Sequence, residues 1–316
     1  VNKKMKIVIG VCTYKRPKRL KRLLKGLDRL IFSKVPVPDI RIIVVDNEGS
    51  EATKMVCDEM RASGRWVIDY EIEFQRGISH ARNKVFLTVR DFADFIAFID
   101  DDEEPSAVWL DELLYVQELY NADVVGGPVL GRFEEDVSTG ILKESFYDRT
   151  RYPTGTFLEF AATNNVLIRL SCVKKSGLLF DVKYALTGRE DTKFFMSGYR
   201  LGWKIIWADD AIVYDCIPKE RATIKWFCRR GYYLGNGRIR VLRDFEEGDL
   251  IRTRYFPASI KGIVTCAIRL FLSSFSKKYS FLKSLQAICY NMGMLTALVG
   301  LSAEEYRKAS DRMQPE

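Results

Sequence analysis

Short apolar runs recur through the first hundred residues, at 7–12, 40–45, 67–74 and Phe95–Ile99, and they are rich in β-branched and aromatic side chains. Runs of this length, bounded by polar turns, predict buried strands. Between the first two, Leu20, Leu23, Leu24, Leu27 and Leu30 follow the spacing that puts side chains on one helix face. Strand and helix alternate, which predicts an α/β fold with an open, mostly parallel sheet and helices on both faces. Ligands of such sheets bind beyond the carboxyl ends of the strands, where Thr13, Asp46 and Asp100 stand.

The fourth run ends in four consecutive acids, Asp100, Asp101, Asp102 and Glu103. Like charges side by side repel, and a bound hard cation would relieve the repulsion. The alternative is a solvated acidic turn before a helix starting near Ser106 or Ala107, because acids favour helix N-termini. His80 is the only histidine, so His-zinc sites, Ser-His-Asp triads and Cys-His dyads are excluded everywhere else. Acid–base chemistry therefore falls to carboxylates, Lys or Tyr, and His80 is assigned a structural or substrate-lining role. The seven cysteines are scattered and odd in number, as expected of free thiols in a reducing compartment. With no apolar leader after Lys3 and Lys4, the expected location is cytoplasmic.

Net charge is +8, and residues 217–284 alone carry +10. There, bases are interleaved with Ile260, Ile263, Val264, Ile268, Leu270, Phe271, Leu272 and Phe275, predicting an amphipathic helix on an anionic membrane surface and a peripheral, cytoplasmic-face location. A basic soluble helical subdomain is the alternative. The apolar stretch 285–301 is borderline for a span and is interrupted by Gln286, Asn291 and small residues, which favours a membrane-dipping or packed helix.

The strings VCTYKRP, IIVVDNEGS, RGISHARN and FIDDDEEP occur in that order, followed by NNVLIRLS, LLFD and GREDTKFFMSGYRLGW. Together they resemble family 2 glycosyltransferases with the GT-A fold, a Rossmann-like open sheet, over about residues 7 to 235. The finer likeness is to bacterial enzymes that add sugars to lipid-linked exopolysaccharide or surface-glycan intermediates. The resemblance implies a catalytic domain over 1–216, with a nucleotide-sugar half at 1–130 and an acceptor half at 131–216. A basic, mainly helical extension over 217–316 follows.

It also implies metal-dependent inverting transfer from a nucleotide-sugar, a UDP-sugar, to a glycan or lipid-linked glycan acceptor. Thr13, Tyr14, Arg16, Asp46, Arg76, Arg82, Asp100 and Asp101 would bind the donor. Asp46 can accept a hydrogen bond from the imide of uracil, the alternative being a cap for the helix near Glu51. Asp100 and Asp102 form the D-x-D pair around Mn²⁺ or Mg²⁺, which stabilises a departing diphosphate. Asp191 would be the base that deprotonates the acceptor, with Glu190 beside it to orient or bind that acceptor. Asp215 stands where many relatives carry a histidine, and would either ligate the metal or leave its place to water. Trp226 is a candidate for sugar stacking or for core packing. Acceptor choice is expected to lie in the loops around 146–163.

Two other classes fit the same acids and bases: a two-metal nucleotidyltransferase or nucleic-acid enzyme, and a non-catalytic membrane-surface scaffold. The Glu190–Asp191 helix with its GW ending, and strands without interleaved aromatic and basic residues, argue against nucleic acid as a partner.

Overall fold

The computed structural model describes residues 4–134, 151–274 and 280–303. Residues 146–150 of the expected acceptor loops, and Phe275, lie outside the described residues. The chain runs β1 (Lys6–Thr13), α1 (Pro17–Leu27), β2 (Asp39–Asp46), α2 (Glu51–Ser63), β3 (Val67–Ile72), α3 (Ile78–Val89) and β4 (Phe95–Ile99). It continues through β5 (Glu103–Pro105), α4 (Trp109–Tyr120), β6 (Val124–Gly126), β7 (Val129–Phe133), β8 (Asn165–Arg169) and α5 (Leu170–Ser176). A 3-10 turn at Val182–Tyr184 leads to α6 (Glu190–Arg200), β9 (Ile205–Trp207) and β10 (Val213–Ile217). The helices α7 (Ile224–Leu242), α8 (Gly248–Leu272) and α9 (Phe281–Leu298) follow.

The main sheet is ordered β3-β2-β1-β4-β8-β6-β9, with β1 to β4 parallel and β8 antiparallel to both neighbours. Strand order reverses at β1, which lies between β2 and β4, so a crevice opens beyond the ends of β1 and β4. Alternate residues of β1 face opposite sides, as the two-residue strand period requires. Ile7, Ile9 and Val11 pack with the leucines of α1 and with Trp109 and Leu113 of α4. Val8 packs with Val85 and Phe86 of α3 and with Phe194 and Phe195 of α6. Phe180 and Phe194 stack at 4.4 Å, which seats α6 against this second layer. Each fully buried side chain of this size contributes roughly 1.5–3 kcal/mol.

A smaller sheet, β5-β10-β7, forms from the last acid of the acidic run and from the segment containing Asp215. The expected acidic turn is thus partly a strand, with Glu103 paired against Asp215 across β5 and β10.

The stretch 285–301 is largely α9, and it is packed. A Cβ on Gly235 of α7 would lie 1.9 Å from the Tyr290 carbonyl oxygen, and one on Gly293 would lie 2.1 Å from that of Tyr232. The two backbones touch because both positions lack a side chain. The buried Asn236 closes this crossing, donating to the Leu301 carbonyl at 2.8 Å and accepting from the Ala303 N–H at 3.0 Å. The extension also grips the loop before α6: Arg240 donates to the Thr187 carbonyl and Arg189 to the Leu234 carbonyl, at 3.0 and 2.9 Å.

Candidate active site

A cleft of about 160 Å³ lies beyond the ends of β1 and β4, lined by Tyr14, Arg16, Arg76, Asp100, Asp102 and Leu186 among others. That volume is below the roughly 300–1,000 Å³ that encloses a drug-sized ligand, so a ligand of that size would extend over the rim. Asn47 builds one wall. Its amide donates to the Glu73 and Gln75 carbonyls at 2.7 and 2.9 Å and its oxygen accepts from the Gly77 N–H at 2.7 Å. Gly77 has φ of 128°, and a Cβ there would lie 2.6 Å from Ala185 Cβ. Glycine therefore admits the 185–186 loop to the start of α3.

Asp101 and Asp102 are both buried. Asp101 accepts from Thr13 Oγ1 at 2.7 Å and from Arg16 at 3.0 Å. Burial pushes its carboxyl up to about 6, against the pull of Arg16. Asp102 Oδ2 meets three guanidinium groups, Arg16 at 3.1 Å, Arg19 at 3.5 Å and Arg221 at 3.0 Å. Burial opposes ionisation of Asp102, yet Arg221, Arg16 and Arg19 outweigh it and hold the carboxyl below its ordinary range. Glu103 serves the fold: its carboxylate accepts from the Asp100 N–H at 3.2 Å and from Asn164 at 2.7 Å.

Arg82 is buried and bridges two elements. It pairs with Asp100 Oδ1 at 3.2 Å on one side and with Glu190 Oε1 on the other. Glu190 opens α6 and is itself buried, with no hydrogen-bond partner for Oε2 among the described residues. Burial pushes its carboxyl up to about 7, with Arg82 pulling the other way. Asp191 is half-buried, and its Oδ1 accepts from the Thr192 N–H at 2.6 Å and from Thr192 Oγ1 at 3.2 Å.

Thr13, Tyr14, Arg16, Arg76, Arg82, Asp100, Asp101 and Asp102 all border the cleft, and Arg82 joins Glu190 to it. Arg76 lies over the Tyr14 ring, 5.9 Å from its centroid. Of the other expected residues, Asp46, Asp191 and Asp215 do not line the cleft. Asp46 is fully buried, and its oxygens accept from the N–H groups of Glu48 and Ser50 at 3.0 and 2.8 Å and from the Tyr70 hydroxyl at 3.0 Å. Its carboxylate is turned into the 46–50 loop, and its neighbour Asn47 borders the cleft instead. Ser50, in turn, caps α2. Asp215 sits on β10 opposite Glu103, outside the cleft lining, and among the described residues no three His, Cys, Asp or Glu side chains, those of Asp100 and Asp102 included, converge on one point. Trp226 is half-buried and packs beside Phe227 and Leu282.

Arg19 and Arg221 were not expected at the site. Arg19 follows Arg16 by one helical turn, a spacing that could have pointed to it. Arg221 comes from the loop between β10 and α7, where the sequence carries no periodic signal.

The seven cysteines are all unpaired. The sequence profile of glycosyl transferase family 2 matches residues 8–175. The succinoglycan biosynthesis protein ExoM of Rhizobium meliloti (strain 1021) is 28% identical over 306 residues, 96% of either chain. S. aureus TarS 1-349, solved in complex with UDP-GlcNAc, superposes with a TM-score of 0.56 at 14% identity, covering 94% of this chain and 92% of its own. The mannosyltransferase PcManGT from Pyrobaculum calidifontis, solved with GDP-Man and Mn²⁺, gives 0.64 at 14% identity, covering 94% and 88%. A family match over more than half of the chain, on a sheet whose order and acidic strand end suit it, sets aside the nucleic-acid and scaffold alternatives. The chain belongs to glycosyl transferase family 2 and is a glycosyltransferase with the GT-A fold.

Proposed function

We propose that the enzyme transfers a sugar from a UDP-sugar to a hydroxyl of a lipid-linked glycan, with inversion, in exopolysaccharide synthesis on the cytoplasmic side. The observation that carries this reading is the Asp100–Arg82–Glu190 junction. One buried guanidinium ties the acids suited to a nucleoside diphosphate to the helix whose acids suit an acceptor. The likeness to a succinoglycan biosynthesis protein supports the polymer, and solved neighbours holding UDP-GlcNAc and GDP-Man support a nucleotide-sugar donor.

Asp100 would hold Mn²⁺ or Mg²⁺, joined by Asp102 once Arg16, Arg19 and Arg221, which surround its Oδ2 here, turn to the substrate phosphates. Both supply oxygen at one cleft, and such ions are commonly held by one or two carboxylates with substrate phosphates and water completing the shell. When bound, the cation offsets charge developing on the departing diphosphate. Tyr14 and Arg76 flank the base, and Arg16, Arg19 and Arg221 lie within reach of the phosphates. Asp46 acts through the 46–50 loop that places Asn47. Asp191 takes the proton from the acceptor hydroxyl as the diphosphate leaves from the opposite face. The donor half is assigned to 1–130, the acceptor half to 131–216 and the helical extension to 217–316.

Calorimetry with UDP, GDP and ADP, with Mn²⁺ or chelator, tests the donor and the metal together. UDP is expected to bind best and to lose affinity in chelator, and Asp102→Asn to erase that loss. Asp191→Asn should keep donor affinity while turnover falls by roughly a hundred- to ten-thousand-fold. Metal-insensitive UDP binding, or near-normal turnover in Asp191→Asn, would overturn the corresponding assignment.

A further inference from the structure

Helix α8 has two unlike sides. Ile251, Ser259 and Cys266 are buried, and a Cβ on Gly262 would lie 2.6 Å from Asn291 of α9. On the other side Phe256, Ile260, Val264, Ile268 and Phe271 are between 44% and 67% exposed. At 3.6 residues per turn these five fall within an arc of about 120°, opposite the packed side. Lys261 and Arg254 border one edge of that arc and Arg252 borders the other, and all three are exposed. The helix carries four bases against one acid, the exposed Asp249, which falls on the apolar side but in the first turn, ahead of Phe256.

We propose that α8 lies in the surface of an anionic membrane, with its exposed apolar side among the acyl chains and Arg252, Arg254 and Lys261 at the lipid phosphates. Three observations favour this occupant. The apolar arc is bordered by cations along both edges, which complements an acidic lipid surface. At 25 residues α8 is long and apolar enough to cross a bilayer, but Lys261 stands at its midpoint and would be placed in the hydrocarbon centre. Two copies packed face to face would bring these like charges together. The helix therefore lies along the membrane with its packed side towards α9.

The 316-residue chain is mixed with vesicles of phosphatidylglycerol and phosphatidylcholine, or of phosphatidylcholine alone, at low and high salt. Co-sedimentation with the acidic vesicles is expected to fall at least tenfold with the neutral ones and at high salt, because screening shortens the reach of the basic residues. Val264→Asp with Ile268→Asp should abolish it while helical circular dichroism and UDP affinity stay unchanged. Lys261→Glu with Arg254→Glu should weaken binding without changing the fold. UDP affinity, measured on the same variants, separates failure of this face from failure of the donor assignment. Retention through high salt and an alkaline wash would show a spanning helix and overturn the proposal. Absence of vesicle binding would overturn it too, and self-association lost in the Val264→Asp, Ile268→Asp variant would then assign the face to a second copy.

Discussion

A buried carboxyl that keeps its proton to near neutrality changes stability with pH in the opposite sense from a salt-bridged surface acid. Glu190 is raised from 4.5 to about 7 by burial. Between those values the folded protein holds a proton that the unfolded chain has released, so the contribution of Glu190 to stability falls as pH rises across the window. The thermal midpoint of the native protein should therefore drop relative to Glu190→Gln from pH 4.5 to 7, with parallel curves below that range. A constant offset would mean that Glu190 is ionised throughout. The residue types of the site were legible in the sequence because strand–helix alternation locates the strand ends, and with them Thr13, Asp100, Asp101 and Asp102. The direction of each carboxylate was not. Asp46 is turned away by the backbone of its own loop and by Tyr70, and Arg82 is drawn inward by Glu190, a partner from a distant element.

At the scale of elements, the crossing of α7 and α9 gives glycine a sign opposite to its usual one. Alanine for glycine inside a helix normally gains about 1 kcal/mol in propensity. At Gly235 the added Cβ would meet a backbone carbonyl, which cannot swing aside as a side-chain tip can. The helices must separate, at about 1–3 kcal/mol for overpacking. Gly235→Ala should melt below the native protein, whereas Gly248→Ala, whose Cβ enters open space, should not; equal midpoints in thermal denaturation would show that the crossing yields. The apolar run over 285–301 is read as a membrane-dipping or packed helix, and the helix Phe281–Leu298 covers most of it. Its small residues resembled interruptions in a weak span, because a sequence shows that a side chain is missing and not which backbone fills the gap.

The whole molecule depends on how the helical extension meets the loop before α6. Asp244, just past α7, accepts from Lys183 at 2.6 Å and from the Tyr184 hydroxyl at 2.8 Å. Burial opposes its ionisation, but Lys183, Tyr184 and Lys193 hold it below the ordinary carboxylate range. Its contribution to stability is thus present above the unfolded pKa and is lost as pH falls through the folded one. Asp244→Asn should loosen the 183–190 segment, lowering turnover while leaving UDP affinity intact; a matching loss of UDP affinity would show that the extension shapes the donor site as well. The sequence identified the extension by its charge, but gave no sign of this anchorage, which joins residues far apart in the chain.

The pairing of Glu103 with Asp215, and of Asp102 with Arg221, also sets an order of assembly. During synthesis the first four strands emerge and can pair while β10 and the loop behind it are still inside the ribosome, leaving the acidic corner without its second strand or its third arginine. Contacts of such long sequence separation form late because the intervening chain must first be ordered. In pulsed hydrogen exchange during refolding, the amides of β5 and β10 should gain protection after those of β1 and β2, so the cleft beyond β1 and β4 would be among the last parts of the protein to mature.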